Sequence, residues 1–404
     1  MLKKIEINNF KTIDHLKLEL GRTNVFIGEN GAGKSNILEA IALAAAANSR
    51  KLDNEFLFSR GIRITSASLM RPQFDSENQD DPIVIKITND NENEAELLLN
   101  HDNKEYSKWS CKFRHNGMKE EQLLEESFEE VATDYPNVVE DINEAIVLLK
   151  NFIDSQHTQK AKTLTLPKNS ILSKITALAS NKLRNRLSEI NNFAIFSPET
   201  STLRRFDAEG QIEPLGICGE GLQKLLLVLL KDEPETLKTI KNTLSIFGWF
   251  EELYFTSTTG NSHSNLELVD RYFKVENRYL DIRGTNEGFL YLMFYSTLFA
   301  SKLCPKFFAI DNIENSLNPK LCAHLIAEIH KISVTTDKQS ILTTHNPAIL
   351  DGLNLDDDDQ RLFVVQRNVD GYTRIKRIRK KSDSNLKLSE MFMRGVIGGL
   401  PKGF

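Results

Sequence analysis

The octet Gly28-Glu29-Asn30-Gly31-Ala32-Gly33-Lys34-Ser35 fits the pattern Gly-x4-Gly-Lys-Ser at every fixed position. Residues of those types at that spacing serve phosphate chemistry. The backbone N–H groups of a glycine-rich turn cradle the α- and β-phosphates of a nucleotide, the lysine reaches the β/γ oxygens, and the hydroxyl holds Mg2+. Lys34 and Ser35 are the corresponding side chains here, with Asn30, Gly31, Gly33 and Asn36 as neighbouring candidate contacts. A hydrolase built on such a loop also needs a metal-holding acid at the end of a buried strand. Lys306-Phe-Phe-Ala-Ile-Asp311 supplies one, so Asp311 joins Ser35 as a candidate Mg2+ ligand. Gln339-Ser-Ile-Leu-Thr-Thr344-His345 reads as another strand with a polar end, where His345 would contact the γ-phosphate or orient water.

These side chains act together only if strands and helices carry them to one place. Ile5, Ile7 and Phe10, then Leu16, Leu18 and Leu20, then Val25 and Ile27 alternate as short strands. Ile37, Leu38, Ile41 and Ala45 follow the loop at helical spacing, so the loop lies between a strand and a helix, as its chemistry requires. Three alternating runs, Ile83–Thr88, Ala95–Asn100 and Tyr106–Phe113, separated by Asn/Asp-rich turns, predict an antiparallel β-meander. Leu172, Ile175, Leu178, Leu183, Leu187 and Ile190 mark one apolar helical face, and 117–192 is predicted to be a helical insertion too short for a coiled-coil arm. Beyond it, strands are predicted at 192–196, 306–310 and 340–344, helices at 222–231, 235–247, 290–303 and 320–332, and a terminal strand pair at 361–367 and 373–378. Strands alternating with helices imply an α/β fold with a mostly parallel sheet. The expected organisation is one nucleotide-binding domain in two parts, 1–116 and 193–404, split by the insertion.

Composition excludes several alternatives. Four cysteines in 404 residues, without paired metal-ligand spacing, point to reduced buried thiols instead of a stapled or zinc-bound scaffold. The apolar runs Ile41–Ala47 and Leu225–Leu230 fall well short of the roughly 20 residues that span a bilayer. Met1-Leu-Lys-Lys leads into strand-like alternation and not a signal-peptide core, so a cytoplasmic chain with no membrane partner is expected. A net charge of −5 excludes a uniformly positive surface but leaves room for a local patch. Arg374, Lys376, Arg377, Arg379, Lys380 and Lys381 are the candidate patch, facing nucleic-acid phosphates or an acidic partner, or else forming a solvated strand. Asp356–Asp359 lacks glycine-punctuated calcium-loop spacing and reads as a solvated turn.

Four segments carry a resemblance: Asn8-Asn9-Phe10-Lys11-Thr12, Gly28–Ser35, Ile310-Asp-Asn-Ile-Glu-Asn-Ser-Leu-Asn-Pro319 and Thr343-Thr-His-Asn-Pro347. Together they resemble the ABC-type ATPases of the RecF and structural-maintenance-of-chromosomes class. Within that class the chain is similar to the stand-alone bacterial ATPases related to the overcoming-lysogenization-defect and Septu anti-phage proteins. The resemblance spans 1–50 and 284–404 and is weak across the helical middle. It implies an ABC-type P-loop ATPase head, with ATP and Mg2+ as cofactors and Lys11 as a further nucleotide contact. It also implies that ATP is sandwiched between two subunits, the loop of one facing a Ser-x-Gly signature of the other. Thr285-Asn286-Glu287-Gly288-Phe289 occupies the signature's place, so Asn286 and Gly288 are candidate contacts across the dimer, with Asn286 replacing the usual serine. Gln73, in Arg71-Pro-Gln-Phe74, is a candidate for the glutamine that senses Mg2+ and the γ-phosphate, or an exposed turn residue.

One departure bears on mechanism. Such ATPases commonly have Asp-Glu-Pro-Glu at the second motif, where the first Glu polarises the attacking water; this chain has Asp311-Asn312-Ile313-Glu314. An amide cannot take a proton as a carboxylate does, and losing a general base costs about 10²–10⁴ in rate. Hydrolysis is therefore expected to be slow and the ATP-bound sandwich long-lived, with Glu314 compensating if the strand end is shifted. Lys34, Asp311, Asn312, Glu314 and His345 are the candidate catalytic set. The resemblance implies a homodimer or higher homo-oligomer that controls a separate nuclease or toxin in anti-phage defence. The segment after His345 lacks the separated Glu and Asp-x-Asp set of a fused TOPRIM nuclease. The alternatives are a DNA-repair or recombination ATPase that binds duplex itself, and a non-hydrolysing, ATP-locked scaffold. A transporter subunit is disfavoured by the lack of a Leu-Ser-Gly-Gly signature.

Overall fold

The computed structural model describes residues 1–74, 80–119, 188–205, 212–257, 264–274, 279–380 and 386–400, with isolated positions between 122 and 147. The predicted helical insertion at 117–192 lies largely outside these residues. The N-terminal part contains β1 (Leu2–Phe10), β2 (Ile13–Glu19), β3 (Thr23–Ile27), α1 (Lys34–Asn48) and α2 (Asn54–Ser59), followed by β4 (Ile83–Asn89), β5 (Glu94–Asn100), β6 (Ser110–His115) and β7 (Met118–Lys119). Next come β8 (Ile195–Phe196), α3 (Thr200–Leu203), α4 (Leu222–Asp232), α5 (Pro234–Leu244), β9 (Phe250–Ser257), β10 (Ser264–Asp270) and β11 (Tyr279–Asp281). The last part holds α6 (Glu287–Ala300), β12 (Phe307–Ile310), α7 (Pro319–Thr336), β13 (Gln339–Thr344), β14 (Gln360–Arg367), β15 (Thr373–Ile378) and α8 (Leu388–Met393).

Two six-stranded sheets organise the molecule. One, ordered β2-β1-β4-β5-β6-β7, is antiparallel and joins the predicted meander to the two N-terminal strands. The other, ordered β15-β14-β3-β13-β12-β8, is parallel except for β15. β3, from the start of the chain, is hydrogen-bonded between β13 and β14 from its end, and every β3 residue is buried. Helix α1 lies between the two sheets. Its apolar residues share one core with Ile5, Ile7, Ile85 and Leu97 of the antiparallel sheet and with Phe26, Ile341 and Phe363 of the parallel sheet. That two-sided burial explains why α1 is apolar nearly all round, and its alanines let both sheets approach closely. On its other face the parallel sheet packs against α4, α5, α6 and α7, α6 being buried along almost its whole length. No helix among the described residues is long and apolar enough to cross a membrane.

The strand β13 also ties the two sheets together. Buried Gln339 accepts from Leu2 N at 3.0 Å and donates to Leu2 O at 2.7 Å and Gly21 O at 2.8 Å. A leucine there would strip these partners from Leu2 N and Leu2 O, while Gly21 O keeps the Asn24 Nδ2 donor at 2.9 Å. Gln339→Leu is therefore expected to cost about 2–4 kcal/mol, read as a lower urea midpoint at unchanged slope.

Several boundaries differ from the sequence reading, each for a local reason. β6 begins at Ser110 and not Tyr106, because Tyr106 adopts left-handed backbone (φ 63°) inside a turn. α6 begins at Glu287, three residues before the expected start, because Asn286 caps it by accepting from Phe289 N at 2.9 Å. It ends at Ala300, where the buried Lys338 Nζ donates to the carbonyls of Ser301 and Cys304, each at 2.7 Å. α5 stops at Leu244, and the chain then turns through Phe247 into β9. The three-stranded antiparallel sheet β11-β10-β9 was not anticipated, although Leu266 and Leu268 alternate within it and are both buried.

Candidate functional site

The parallel register sets the geometry of the site. Ile27, the last residue of β3, pairs with Thr344, the last of β13, and Ile310, the last of β12, pairs with Leu342, so the three strands end within two residues of one another. The glycine-rich loop leaves β3, Asp311 follows β12 and His345 follows β13. Their convergence at the carboxyl ends of adjacent parallel strands is where open α/β sheets bind ligands. Here Asn30, Gly31, Ala32, Gly33, Lys34, Ser35 and Asn36 line a cleft of about 320 Å3 together with Arg63, Asp311, Asn312, His345 and Arg367.

The loop is shaped by close approach. Gly33 has φ 105°, and a Cβ on it would fall 2.0 Å from Thr373 Oγ1. Gly33 is also the N-cap of α1, which has no side-chain cap and no acidic residue in its first turn. Free N–H donors at an uncapped helix start, beside Lys34, Arg63 and Arg367, make the cleft suited to an anion.

Lys34 Nζ donates to Gly28 O at 2.8 Å and Glu29 O at 3.1 Å and lies 3.4 Å from His345 Nδ1. Burial brings the Lys34 ammonium down from 10.5 to about 8, against the opposing pull of Asp311, Glu314 and Glu29. His345 is also lowered, first by burial and then by the Lys34 charge, so its ring is neutral at pH 7. Ser35 Oγ donates to Asp311 Oδ2 at 3.2 Å, and the Thr343 hydroxyl donates a short hydrogen bond to Asp311 Oδ1. Thr343 Oγ1 in turn accepts from Asn312 N at 2.9 Å. One hydroxyl on β13 thereby fixes both the Asp311 carboxylate and the backbone after it.

Asn312 lies in the cleft with left-handed backbone (φ 54°), a conformation asparagine tolerates better than most residues. Glu314 is not among the residues that line the cleft. Its Oε1 accepts from His345 N at 2.7 Å, while Oε2 is buried without a hydrogen-bond partner.

Other sequence candidates lie elsewhere. Lys11 and Gln73 line a second cleft of about 350 Å3, with Thr12, Thr65, Leu69, Arg71 and Phe74, which shares only Asn36 and Arg63 with the first. The Gln73 amide donates to Ser68 O at 2.8 Å and to neighbouring loop carbonyls, so the structure places it apart from Ser35 and Asp311. Asn286 caps α6, and Gly288 packs against the Ser316 turn, where a Cβ would meet Ser316 O at 3.0 Å; neither lines the cleft of its own chain. The basic C-terminal run is partly neutralised by the acidic turn, where Arg377 pairs with Asp358 and Lys380 with Asp356, and by β2, where Asp14 lies 3.9 Å from Arg374. The turn at 356–359 is thus an ion-pair partner and not merely solvated.

Arg63 and Arg367 were not found from the sequence. Arg367 Nε donates to Gly31 O at 2.8 Å, and Arg63 stands on the wall between the two clefts. Neither belongs to a spaced motif. Thr343 stands inside the Thr-Thr-His segment, so its position beside Asp311 was within reach of the motif reading.

With this geometry in view, comparisons with known proteins locate the chain among relatives. The family described as AAA ATPase domain matches residues 1–350. The DNA replication and repair protein RecF of Listeria welshimeri is 42% identical over 55 residues, 13% of this chain and 15% of that protein. RecF of Lachnoclostridium phytofermentans is 42% identical over 52 residues, 13% of this chain and 14% of that one. The chain thus matches only about one seventh of the length of these curated relatives. Among solved structures, an Smc head bound to the C-winged helix domain of ScpA superposes with a TM-score of 0.56 at 13% identity, covering 94% of this chain and 98% of the other. At that identity the likeness is one of fold.

Proposed function

Taking as premise that this chain belongs to the AAA ATPase domain family, with the ABC-type fold of RecF and SMC heads, we propose that it is an ATP-gated switch. It binds ATP in the cleft at the carboxyl ends of β3, β12 and β13, closes a head-to-tail homodimer around the nucleotide, hydrolyses it slowly and controls a separate nuclease or toxin in anti-phage defence. The observation that carries the nucleotide part is the convergence of the uncapped α1 start, Lys34, Ser35, Asp311 and His345 in one cleft. The donor set suits Mg2+: a serine hydroxyl beside a single carboxylate leaves room for waters and nucleotide oxygens, which Mg2+ retains more readily than an all-protein cage. Among the described residues no cluster of three or more His, Cys, Asp or Glu could hold a metal by itself. When bound, the ion would be held by Ser35 and Asp311 and would neutralise phosphate charge. Lys34 would then meet the β/γ oxygens and His345 the γ-phosphate side, with Thr343 keeping Asp311 oriented.

Two placements support the gated dimer and its slow turnover. Asn286 and Gly288 stand outside their own chain's cleft, as contacts made across a dimer require. Asn312 lines the cleft and Glu314 does not, its Oε1 accepting from the His345 backbone N–H, which supports the reading that an amide replaces the general base. ATP contacts that exist only in the closed dimer shift the subunit equilibrium toward it. The effector and the defence role rest on the resemblance to anti-phage ATPases. Mass measurement with ATP and Mg2+ is expected to show a dimer that reverts to monomer with ADP; an unchanged mass in both would overturn the switch. A second reading, a repair ATPase that binds duplex directly, is favoured by the RecF match. It requires salt-dependent DNA affinity that falls when the Arg374–Lys381 charges are removed. The pairing of Arg377 and Lys380 with acids reduces the charge available for this.

A further inference from the structure

Glu39 is a carboxylate in the middle of α1 whose side chain is only 2% exposed. An ionised group so deeply buried persists only when it is paired and hydrogen-bonded. Glu39 is engaged at both oxygens: Oε2 accepts a short hydrogen bond from Lys11 Nζ, and Oε1 accepts from Arg63 Nε at 2.5 Å. The two cations come from separate pieces of chain, Lys11 from the β1–β2 turn with left-handed backbone (φ 48°) and Arg63 from the segment after α2. The shared acid draws the two heads together, beside longer contacts from Lys11 Nζ to Arg63 O at 3.4 Å and from Arg63 Nη2 to Asn36 Oδ1 at 3.2 Å.

The triad stands at the junction of the two clefts. Arg63 lines both clefts and Lys11 lines the second. Arg63 Nη2 donates to Asn36 Oδ1 at 3.2 Å, Asn36 Nδ2 donates to Thr12 Oγ1 at 2.7 Å, and Thr12 Oγ1 lies 2.7 Å from Thr373 Oγ1. Thr373 Oγ1 donates to Ala32 O at 3.1 Å, which brings the chain of hydrogen bonds to the glycine-rich loop itself. Two cations against one acid leave one positive charge at the wall, facing whatever joins the clefts.

We propose that Glu39 is a positioning residue for the nucleotide: it touches no ligand and holds Lys11 and Arg63 at the wall where the phosphate end of ATP meets its ribose and base. This rests on the ATP reading above. The loss of one charge-assisted hydrogen bond weakens binding by about tenfold or more, and Glu39→Gln removes the charge that orders two such donors.

The test measures ATP binding by calorimetry for the full-length wild type, Glu39→Gln, Lys11→Gln, Arg63→Gln, the Lys11→Gln/Arg63→Gln double variant and the triple variant that adds Glu39→Gln to that pair, with melting curves for each. Glu39→Gln is expected to weaken ATP binding at least tenfold. The triple variant is expected to bind ATP within about twofold of the double variant, because Glu39 acts on the nucleotide only through those two cations. Should Glu39→Gln not fold, Glu39→Asp, whose shorter carboxylate cannot reach both cations, takes its place in both comparisons. Affinity within twofold of wild type in a folded Glu39→Gln, or a loss well beyond twofold between the double and triple variants, would overturn the positioning role. A folded wild type that binds no ATP would instead remove the ATP reading, and this proposal with it.

Discussion

Replacing Asn312 with glutamate is expected to raise the steady-state rate of ATP hydrolysis by about 10²–10⁴, the usual contribution of a positioned general base. The expectation follows from placement. Asn312 lies in the cleft beside Lys34, Ser35 and Asp311, and its backbone N–H is anchored to Thr343 Oγ1 at 2.9 Å, so a longer carboxylate at this position would project from a fixed backbone. The substitution also has a cost. Asn312 adopts φ 54°, which asparagine accepts and glutamate disfavours, and a stability loss of about 1 kcal/mol should accompany the gain in rate. Released phosphate at saturating ATP and Mg2+ measures the first effect, and chemical denaturation the second. A wild-type turnover of tens per second, abolished by Glu314→Gln and untouched by Asn312→Ala, would show that Glu314 is the base and that Asn312 is incidental.

The second large effect concerns Lys34, and it has a pH signature. Lys34→Ala is expected to weaken ATP binding by roughly 10- to 100-fold, the loss of charge-assisted hydrogen bonds of about 1.5–3 kcal/mol, and to abolish ATP-dependent dimerisation. Burial lowers Lys34 from 10.5 to about 8 in the free protein. A polyphosphate beside it favours the charged form, so binding takes up a proton wherever the free lysine is neutral, and ATP affinity falls as pH rises above 8. The free protein behaves oppositely. With the folded value below the unfolded one, the unfolded chain binds more protons between about pH 8 and 10.5, and Lys34 makes folding more favourable as pH rises through that window. Titrations at pH 8.5 in buffers of different ionisation enthalpy should show proton uptake by the wild type and none by Lys34→Ala. Lys338 is also lowered to about 8, but the carbonyls of Ser301, Cys304 and Pro305 hold it at the end of α6, so its titration is not linked to the ligand.

Much of this architecture was legible in the sequence because its signals are local. Gly-x4-Gly-Lys-Ser between an alternating strand and an apolar helix identifies a phosphate loop from one short window, and Phe-Phe-Ala-Ile-Asp311 announces a buried strand with an acid at its end. The meander at 83–113 and the α7, β14 and β15 segments follow from period and turn residues in the same way. The sequence alone therefore determined the α/β class, the loop and the departure at Asn312.

Tertiary structure decided everything that depends on distance across the chain. The pairing of β13 with β3 on one side and β12 on the other makes Lys34, Asp311 and His345 neighbours. Arg63 and Arg367 carry no spacing signal, and their places come from the loops that fold over the cleft. From the sequence Gln73 reads either as a glutamine that senses Mg2+ and the γ-phosphate or as an exposed turn residue, and its loop turns the amide onto the carbonyls of Ser68, Arg71 and Pro72. The basic C-terminal run puts six positive charges in the eight positions 374–381, but strand pairing sets it beside 356–359 and cancels part of its charge. A helical or strand period records which face of an element is buried; it carries no information about which distant element covers that face, and the chemistry of this cleft lies in those long-range neighbours.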